Sequence, residues 1–506
     1  MRAIVSVSDK KGLAPFVKGL VDMGADVYST GGTKKALDEA GLPIRSISDI
    51  TGFPEILDGR VKTLHPNVYG GILALRSSSA HMKELAAHKI TPVDLVVCNL
   101  YPFVETVTKP GVELEDALEN IDIGGPSLIR ASAKNFQSVA VVVDPGDYGW
   151  VLDGLRGKGI PHEERRGLAA KAFQHVALYD TAISTYLRGD SQTLPAELTI
   201  GLTRVQSLRY GENPHQTAAF YSEVLAPAGG IASAKQLHGR ELSHNNILDA
   251  DAAWSAVRDF RPPTVAVIKH TNPCGLASND DLAEAYRRAF DGDPVSAYGG
   301  IVASNRKITA AAAEEIAKVF YEIVIAPGYD QEALERLSRK KDLRIMSVPE
   351  MLARDHLDYR RVSGGMLVQT PDVLFEDPAI WKVVTKRKPS KEELQDLGFA
   401  WQAVKHLKSN AISLVKDRAL VGMGAGQPNR VTSVHLALRR AEGKAKGSVL
   451  GSDAFFPFPH GIELAGEGGI TAIAQPGGSI RDQECVDAAN KYGIAMVYTE
   501  VRHFRH

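Results

Sequence analysis

The feature that most constrains this fold is a repeated switch of hydrophobic period. Ala3 to Val7 is a short β-rich apolar run; from Gly12 to Met23 the apolar residues Leu13, Phe16, Val17 and Leu20 recur at helical spacing. Asp26 to Ser29 predicts a second strand and Lys34 to Ala40 a second helix. Leu95 to Cys98 and Ser138 to Val143 are further strands, and a helix from Arg165 to Arg188 closes this half. Strands apolar throughout are buried on both faces, so their alternation with amphipathic helices predicts an α/β fold with a mostly parallel sheet between helical layers. The second half has the same mixture. Strands are expected at Thr264 to Ile268, Ile301 to Ala303, Val324 to Ala326, Ile412 to Val415, Ala419 to Met423 and Ala472 to Ala474. Helices are expected near Asp281 to Ala289, Ala310 to Val319, Lys391 to His406 and Val431 to Ala441. Between the halves, Arg188-Gly-Asp-Ser-Gln-Thr-Leu-Pro-Ala-Glu197 is polar and helix-breaking, as a linker is. At 506 residues the chain has room for several domains of roughly 100–200 residues each. The expected division is a domain at 1–190, a linker at 191–205 and a second domain at 206–506. The recurring mixture leaves room for a weak duplication inside the second half, which is not demonstrable by eye.

Composition narrows the function. Apolar residues at 44% and charged residues at 24% exclude collagen, a coiled coil and wholesale disorder. Lys plus Arg number 59 against 60 for Asp plus Glu, which provides no general field for nucleic acid or an anionic membrane. Apolar runs are short, such as Val139 to Val143, so no bilayer-spanning helix is expected. Asp9 arrives too soon for a signal peptide. Cys98, Cys274 and Cys485 are far apart and odd in number, which argues against a disulfide framework or a Cys-rich metal site. The expectation is a cytoplasmic, soluble enzyme of small molecules.

Several polar strings in the first half fall after strands, where parallel sheets bind ligands. Ser29-Thr-Gly-Gly-Thr33 puts two glycines and two hydroxyls at a helix start, which suits a phosphate; many such turns use Gly for turning only. Ser6-Val-Ser-Asp-Lys-Lys-Gly12 is a second such turn, whose plainer reading is a helix cap by Ser8 or Asp9. Arg60-Val-Lys-Thr-Leu-His-Pro66 gathers Arg60, Lys62 and Thr63, and Pro66 with Gly70-Gly71 predicts a shaped loop. Asn99-Leu-Tyr-Pro-Phe103 follows a strand directly, which predicts Tyr101 at the same sheet edge. Asp122, in Ile121-Asp-Ile-Gly-Gly125, is either a buried cap or an acid/base with a tuned pKa. Lys134 is the only cation in Ala131-Ser-Ala-Lys-Asn135, and a lone Lys is most often a surface residue.

In the second half, Leu208-Arg-Tyr-Gly-Glu-Asn-Pro-His-Gln216 holds more chemistry than a turn needs. Leu242-Ser-His-Asn-Asn-Ile-Leu-Asp249 leads into a helix and reads also as an Asn-capped start. The most informative string is Val265-Ala-Val-Ile-Lys-His-Thr-Asn-Pro-Cys-Gly275. A buried strand delivers Lys269, able to stabilise an oxyanion, beside His270, able to move a proton near neutral pH. Cys274 opens two other readings. As a nucleophile it has no evident activating partner beyond His270. As a zinc ligand of a deaminase it lacks the second Cys of P-C-x-x-C. Lys408-Ser-Asn410 precedes a strand. Val421-Gly-Met-Gly-Ala-Gly-Gln-Pro-Asn-Arg430 imitates a dinucleotide fingerprint, but Pro428 and Arg430 stand where its helix should begin, so nicotinamide binding is rejected. Ser452-Asp-Ala-Phe-Phe-Pro-Phe458 ordinarily reads as core, and Arg502-His-Phe-Arg-His506 as a frayed tail.

Taken in order, these strings resemble the bifunctional inosinate cyclohydrolase and aminoimidazole-carboxamide ribonucleotide (AICAR) transformylase family over nearly the whole chain. The resemblance implies an N-terminal Rossmann-like, methylglyoxal-synthase-like domain. It implies a C-terminal transformylase region of duplicated cytidine-deaminase-like α/β subdomains. It implies formyl transfer from 10-formyltetrahydrofolate, a co-substrate, to AICAR, then cyclisation of formyl-AICAR to inosinate (IMP) with loss of water. By resemblance, Lys269, His270 and Asn410 serve formyl transfer, and Lys62, Tyr101, Asp122 and Lys134 serve ring closure. Ser8, Lys10, Thr30, Gly32, Thr33, Arg60, Thr63 and Asn99 resemble nucleotide contacts of the first site. Arg209, Tyr210, Asn246, Arg430, Arg502 and His506 resemble those of the second. Asp293, Tyr298, Gly299, Phe456 and Phe458 fall on the folate side. The resemblance further implies a homodimer with shared transformylase sites, no catalytic metal, and neither nucleic acid nor membrane as partner. Two departures stand out: His460 replaces an acidic residue, and Tyr298 stands where Phe is common. The rival readings are a regulatory, non-catalytic first half and a nucleotide deaminase.

Overall fold

The structure, a computed structural model, describes residues 1–57, 59–189, 193–226, 229–349 and 357–506. The start of the expected linker, 191–192, lies outside the described residues. The chain forms two compact units, Met1–Thr203 with Glu223–Leu225 and Arg204–Ser222 with Ala226–His506. No helix of the described residues is long and apolar enough to cross a membrane.

In the first unit, strands β1 (Arg2–Ser6), β2 (Asp26–Ser29), β3 (Arg45–Ser46), β4 (Leu95–Cys98) and β5 (Ala140–Val142) form one sheet in the order β3-β2-β1-β4-β5. Every pairing is parallel. Side chains alternate across it: Ala3 and Val5 join a core with Leu13, Phe16 and Leu20, whereas Ile4 joins the opposite core with Leu128, Ile129 and Val176. This is the doubly covered parallel sheet that the apolar strands predict. Its strand order reverses between β1 and β4, and a crevice opens there at the carboxyl ends.

Three local expectations are corrected. The helix expected from Lys34 begins at Gly31, so the two glycines form its first turn. The first helix, Leu13–Asp22, is capped by Gly12 at φ 67°, not by Ser8 or Asp9; the Asp9 carboxylate instead accepts from the Lys11 N–H. Gly70-Gly71 is not loop but the middle of a helix, Pro66–Leu73. A Cβ on Gly71 would lie 2.8 Å from the Thr91 carbonyl oxygen, so these glycines admit a close neighbour.

The second unit carries two small ribbons. One is β6 (Leu202–Leu208) with β7 (Ala218–Glu223), whose first and last residues belong to the first unit. The other is β14 (Asp358–Val362) with β15 (Gly365–Gln369). The main sheet uses β8 (Lys235–His238), β9 (Thr264–Lys269), β10 (Asn272–Ser278), β11 (Ile301–Ser304), β12 (Ile323–Ala326) and β13 (Arg344–Ser347). It continues through β16 (Lys382–Val383), β17 (Ile412–Lys416), β18 (Ala419–Gly424), β19 (Val449–Ser452), β20 (Ala472–Gln475) and β21 (Ala495–Tyr498). The order is β16-β21-β20-β19-β17-β18-β10-β9-β11-β12-β13-β8, which is one pattern written twice. In each half an antiparallel hairpin, β9–β10 or β17–β18, is followed by three parallel strands, and the first strand pairs antiparallel at the outer edge. The halves join antiparallel through β10 and β18. Helices His244–Arg258 and Lys391–Val404 share one core around Trp254 and Trp401, while the other face has a separate core for each half. The antiparallel junction brings the β9–β10 turn to the sheet edge where β18, β19, β20 and β21 end.

Candidate active sites

The first site lies at the β1/β4 crevice. The Asn99 side chain stitches the crevice together: its Oδ1 accepts from the Ser8 and Asp9 N–H groups at 2.6 and 3.0 Å, and its Nδ2 donates to the Asp9 carbonyl at 3.0 Å. Ser6 Oγ and Thr30 Oγ1 are 2.9 Å apart, and Thr33 Oγ1 both accepts from Val7 N–H and donates to its carbonyl. Thr30 and Thr33 are buried. Their hydroxyls, and the Asn99 amide, therefore brace the loop. A Cβ on Gly32 would meet open space. The Gly31 N–H at the helix start donates to Glu55 Oε1 at 3.3 Å, and Lys62 Nζ lies within 4 Å of an ideal Cβ on Gly31. Lys10 Nζ donates back to the Ser8 carbonyl, and Arg60 pairs with Glu119.

Asp122 precedes the helix Gly124–Lys134, and its Oδ1 accepts from the Gly125 N–H at 2.8 Å. Burial raises its pKa above the ordinary carboxylate range; the Gly125 N–H and the Lys62 charge oppose that rise. Gly124 leaves room for buried Thr63, whose Oγ1 would be 3.0 Å from a Cβ there. The Tyr179 hydroxyl accepts from Asp122 N–H and donates to the Asn120 carbonyl, each at 2.8 Å, so the long helix His162–Arg188 fixes this loop. Tyr69, which sequence reasoning missed, stands beside Asp122 and Cys98, its phenol pushed up to about 12 by burial. Its only sequence signal was its place four residues after His65. Tyr101 is partly exposed just after β4. Lys134 is not brought to this group. It ends the helix that Asp122 precedes, about 15 Å along its axis, and lines a groove with Arg130, Phe136 and Phe173.

The second site is built on the sheet edge of the second unit. The β9–β10 turn places His270 and Thr271 in left-handed backbone, φ 51° and 61°, with the His270 side chain exposed. Asp249 receives both turn amides: His270 N–H at 3.3 Å and Thr271 N–H at 2.7 Å. Lys269 Nζ donates to the Tyr298 carbonyl at 2.7 Å. Asn410 precedes β17 and Arg430 follows β18, so both stand at the same edge. Arg430 Nη2 donates to Asn410 Oδ1 at 2.8 Å, and its Nη1 donates to Ser452 Oγ at 2.9 Å and pairs with Asp453. Asp453, fully buried, also accepts from Ser409 Oγ. It was absent from the sequence reading because only the fold puts it beneath Arg430. The C-terminal segment docks here rather than fraying: His503 N–H donates to the Asp453 carbonyl and Arg505 N–H to Ser409 Oγ, while Arg502 stacks on Phe504. The His506 carbonyl accepts from Arg360.

Arg209 lies over the Tyr210 ring and donates to its hydroxyl at 3.0 Å; Asn245 Nδ2 reaches the Glu212 carbonyl, which draws this loop to the start of helix His244–Arg258. Asn246 is the third helical residue of a capping box with Ser243, so its Oδ1 is engaged by the helix start. Asp293 caps the short helix Pro294–Ala297 and pairs with Arg440. Gly299 takes φ 72°, and Tyr298 is exposed against Phe320. Phe456 is core, packed with Ile462, whereas Phe458 is exposed under Arg481. Its ring is 6.4 Å from that of His460. Cys274 is buried and its thiol is pushed up to about 12, first by burial and then by Asp293, which leaves almost no thiolate near neutral pH.

The family model described as "AICARFT/IMPCHase bienzyme" matches residues 132–440, and that described as "MGS-like domain" matches residues 12–127. Among similar proteins is the "Bifunctional purine biosynthesis protein PurH" of Anoxybacillus flavithermus, 52% identical over 508 aligned residues, covering 100% of this chain and 99% of the relative. The protein of the same name from Bacillus cereus is 53% identical with the same coverage. That from Listeria welshimeri is 51% identical, covering 100% of both chains. A solved structure titled "Crystal structure of ForH" is 40% identical over 36% of this chain and 95% of its own, with a TM-score of 0.34. With one family model spanning both units and relatives about half identical from end to end, the chain belongs to the AICARFT/IMPCHase bienzyme family.

Proposed function

We propose that the chain catalyses the last two steps of inosinate synthesis, formyl transfer in the second unit and ring closure in the first. The observation that carries the reading is the convergence of Lys269, His270, Asn410 and Arg430 on one sheet edge, separate from the Lys62–Asp122 group. The AICAR amine is a poor nucleophile because its lone pair is delocalised into the imidazole and carboxamide. It therefore needs orientation and proton removal. The amine nitrogen bonds to the formyl carbon of 10-formyltetrahydrofolate, and His270 takes the amine proton. Lys269 stabilises the tetrahedral oxyanion, whose collapse breaks the bond to the folate nitrogen, and that nitrogen leaves with the proton returned by His270. Arg430, held by Asp453, orients Asn410 toward the carboxamide. Arg209, Tyr210 and Arg502 are suited to the phosphate.

In ring closure the carboxamide nitrogen of formyl-AICAR attacks the formyl carbon and water leaves. Asp122 is the proton acceptor, because burial raises its basicity while the Lys62 charge keeps it ionisable. Lys62 and Tyr101 face the developing oxygen charge. Ser8, Lys10, Arg60 and the Gly31-Gly32 turn supply the phosphate and ribose contacts. Lys134 is left out of this step on account of its position. Family resemblance supports a cytoplasmic homodimer with shared transformylase sites, for which sedimentation of the full chain is the measurement.

The test is a product assay with AICAR and 10-formyltetrahydrofolate, resolving formyl-AICAR from inosinate. Inosinate as end product is expected. Accumulated formyl-AICAR would indicate a first unit that binds nucleotide without catalysing. No turnover in folded protein would overturn the assignment.

A further inference from the structure

The duplicated halves contain the same turn device twice, and only one copy carries histidine. In the first half, helix His244–Arg258 starts with a Ser243 capping box, and its sixth residue, Asp249, receives the amides of His270 and Thr271. In the second half, helix Lys391–Val404 starts with a Ser390 capping box, and its sixth residue, Asp396, receives the amides of Asp417 and Arg418 at 2.8 and 2.7 Å. Both turns are left-handed at both residues: 51° and 61° in one, 53° and 57° in the other. Two-residue hairpins of this kind favour Asn, Asp and Gly, because φ > 0 crowds a Cβ. Asp417 suits its turn. Thr271 does not, since a β-branched residue is the least tolerant of that region. A strained turn that persists only with outside support is where functional geometry is held.

We propose that Asp249 is a positioning residue for formyl transfer. Its carboxylate holds the strained His270–Thr271 turn and thereby fixes where the imidazole stands at the sheet edge. The proposal rests on the reading of His270 as the proton acceptor. Asp396 supplies the comparison within the same molecule, because it makes the same two hydrogen bonds under a turn that bears no histidine.

The experiment compares Asp249→Ala and Asp396→Ala in the full chain, measuring Tm, formyl transfer and ring closure of supplied formyl-AICAR. Asp249→Ala is expected to lower kcat for formyl transfer at least about tenfold with KM for AICAR changed less than about threefold, as misplacement of a reacting group does. Asp396→Ala, at a comparable loss of Tm, should keep kcat within about twofold. Adding Thr271→Gly to Asp249→Ala should restore part of the lost kcat, because glycine takes φ > 0 without strain. Equal kcat losses in the two single variants, or no recovery on adding Thr271→Gly, would overturn the proposal. If Asp249→Ala does not fold, Asp249→Asn, which keeps one oxygen for the Thr271 amide, is compared with Asp396→Asn under the same criteria. His270→Ala in the same assay tests the underlying reading separately: full formyl transfer in that variant would refute the role of His270, whatever Asp249→Ala does.

Discussion

Asp122 shows how one residue's chemistry is set by its surroundings. Its string, Ile-Asp-Ile-Gly-Gly, reads equally as a buried cap or as an acid/base of tuned pKa; the structure shows it accepting from the Gly125 N–H, and the opposition of burial by Lys62 belongs to the folded chain. The sign of the pH effect follows. A base with a raised pKa is lost to protonation at higher pH than an ordinary carboxylate, so the acid limb of ring closure should lie above the usual Asp range. Lys62→Met removes a charge that lowers this pKa, so the limb should move further up in pH. A profile of kcat/KM against pH with an unmoved limb would refute the pairing. Cys274 supports the opposite kind of prediction. With its thiol held neutral, Cys274→Ala should cost formyl transfer less than about threefold, whereas loss of a covalent nucleophile costs orders of magnitude; single-turnover kinetics of the variant decides between them.

At the scale of elements, the glycines of β18 explain a string that imitates a cofactor motif. Gly422 and Gly424 face the helix Arg430–Ala441. A Cβ would lie 2.3 Å from the Ala437 carbonyl oxygen at the first and 2.0 Å from that of Ser433 at the second. Alternate glycine here serves close packing of helix on strand, not a pyrophosphate, and Asn429 caps the helix. Gly424→Ala should destabilise the second unit by about 1–3 kcal/mol or more through overpacking. Chemical denaturation monitored by tryptophan fluorescence checks it, because Trp254, Trp381 and Trp401 all sit in that unit's shared core. The buried central strands and the longer amphipathic helices are visible in the sequence, since their hydrophobic period is a local property; the edge and ribbon strands and the short helices of the first unit have too few residues to show a period. Gly70-Gly71 reads as loop in the sequence but is helix in the fold, because its purpose, clearance for the segment at Thr91, depends on a neighbour distant in sequence.

At the scale of the molecule, the two proposed chemistries are assigned to two separate units, so they should fail separately. His270→Ala should reduce formyl transfer by about 10²–10⁴-fold while ring closure of supplied formyl-AICAR continues. Lys62→Ala should do the reverse. Equal loss of both activities in either folded variant would contradict two independent sites. The second unit also shows why the duplication that the resemblance implies is not demonstrable in the sequence by eye. What the halves share is strand order, a capped helix and an Asp beneath a left-handed turn, and the residues in the turns differ: His270-Thr271 against Asp417-Arg418.

The sequence by itself determined the α/β class, the central strands and the longer amphipathic helices, the polar strings that follow strands and the family they resemble. These are properties of period and of short motifs, which neighbouring residues carry together. Tertiary structure alone decided which of those residues meet. Antiparallel joining of β10 to β18 brings Lys269 and His270 to the edge of Asn410 and Arg430. Folding buries Asp453 under Arg430 and docks the C-terminal segment on it. It turns Thr30, Thr33 and Asn99 inward as loop braces and leaves Lys134 a helix length from Asp122. Those outcomes depend on contacts between residues far apart in the chain, and no local pattern encodes the distance between them.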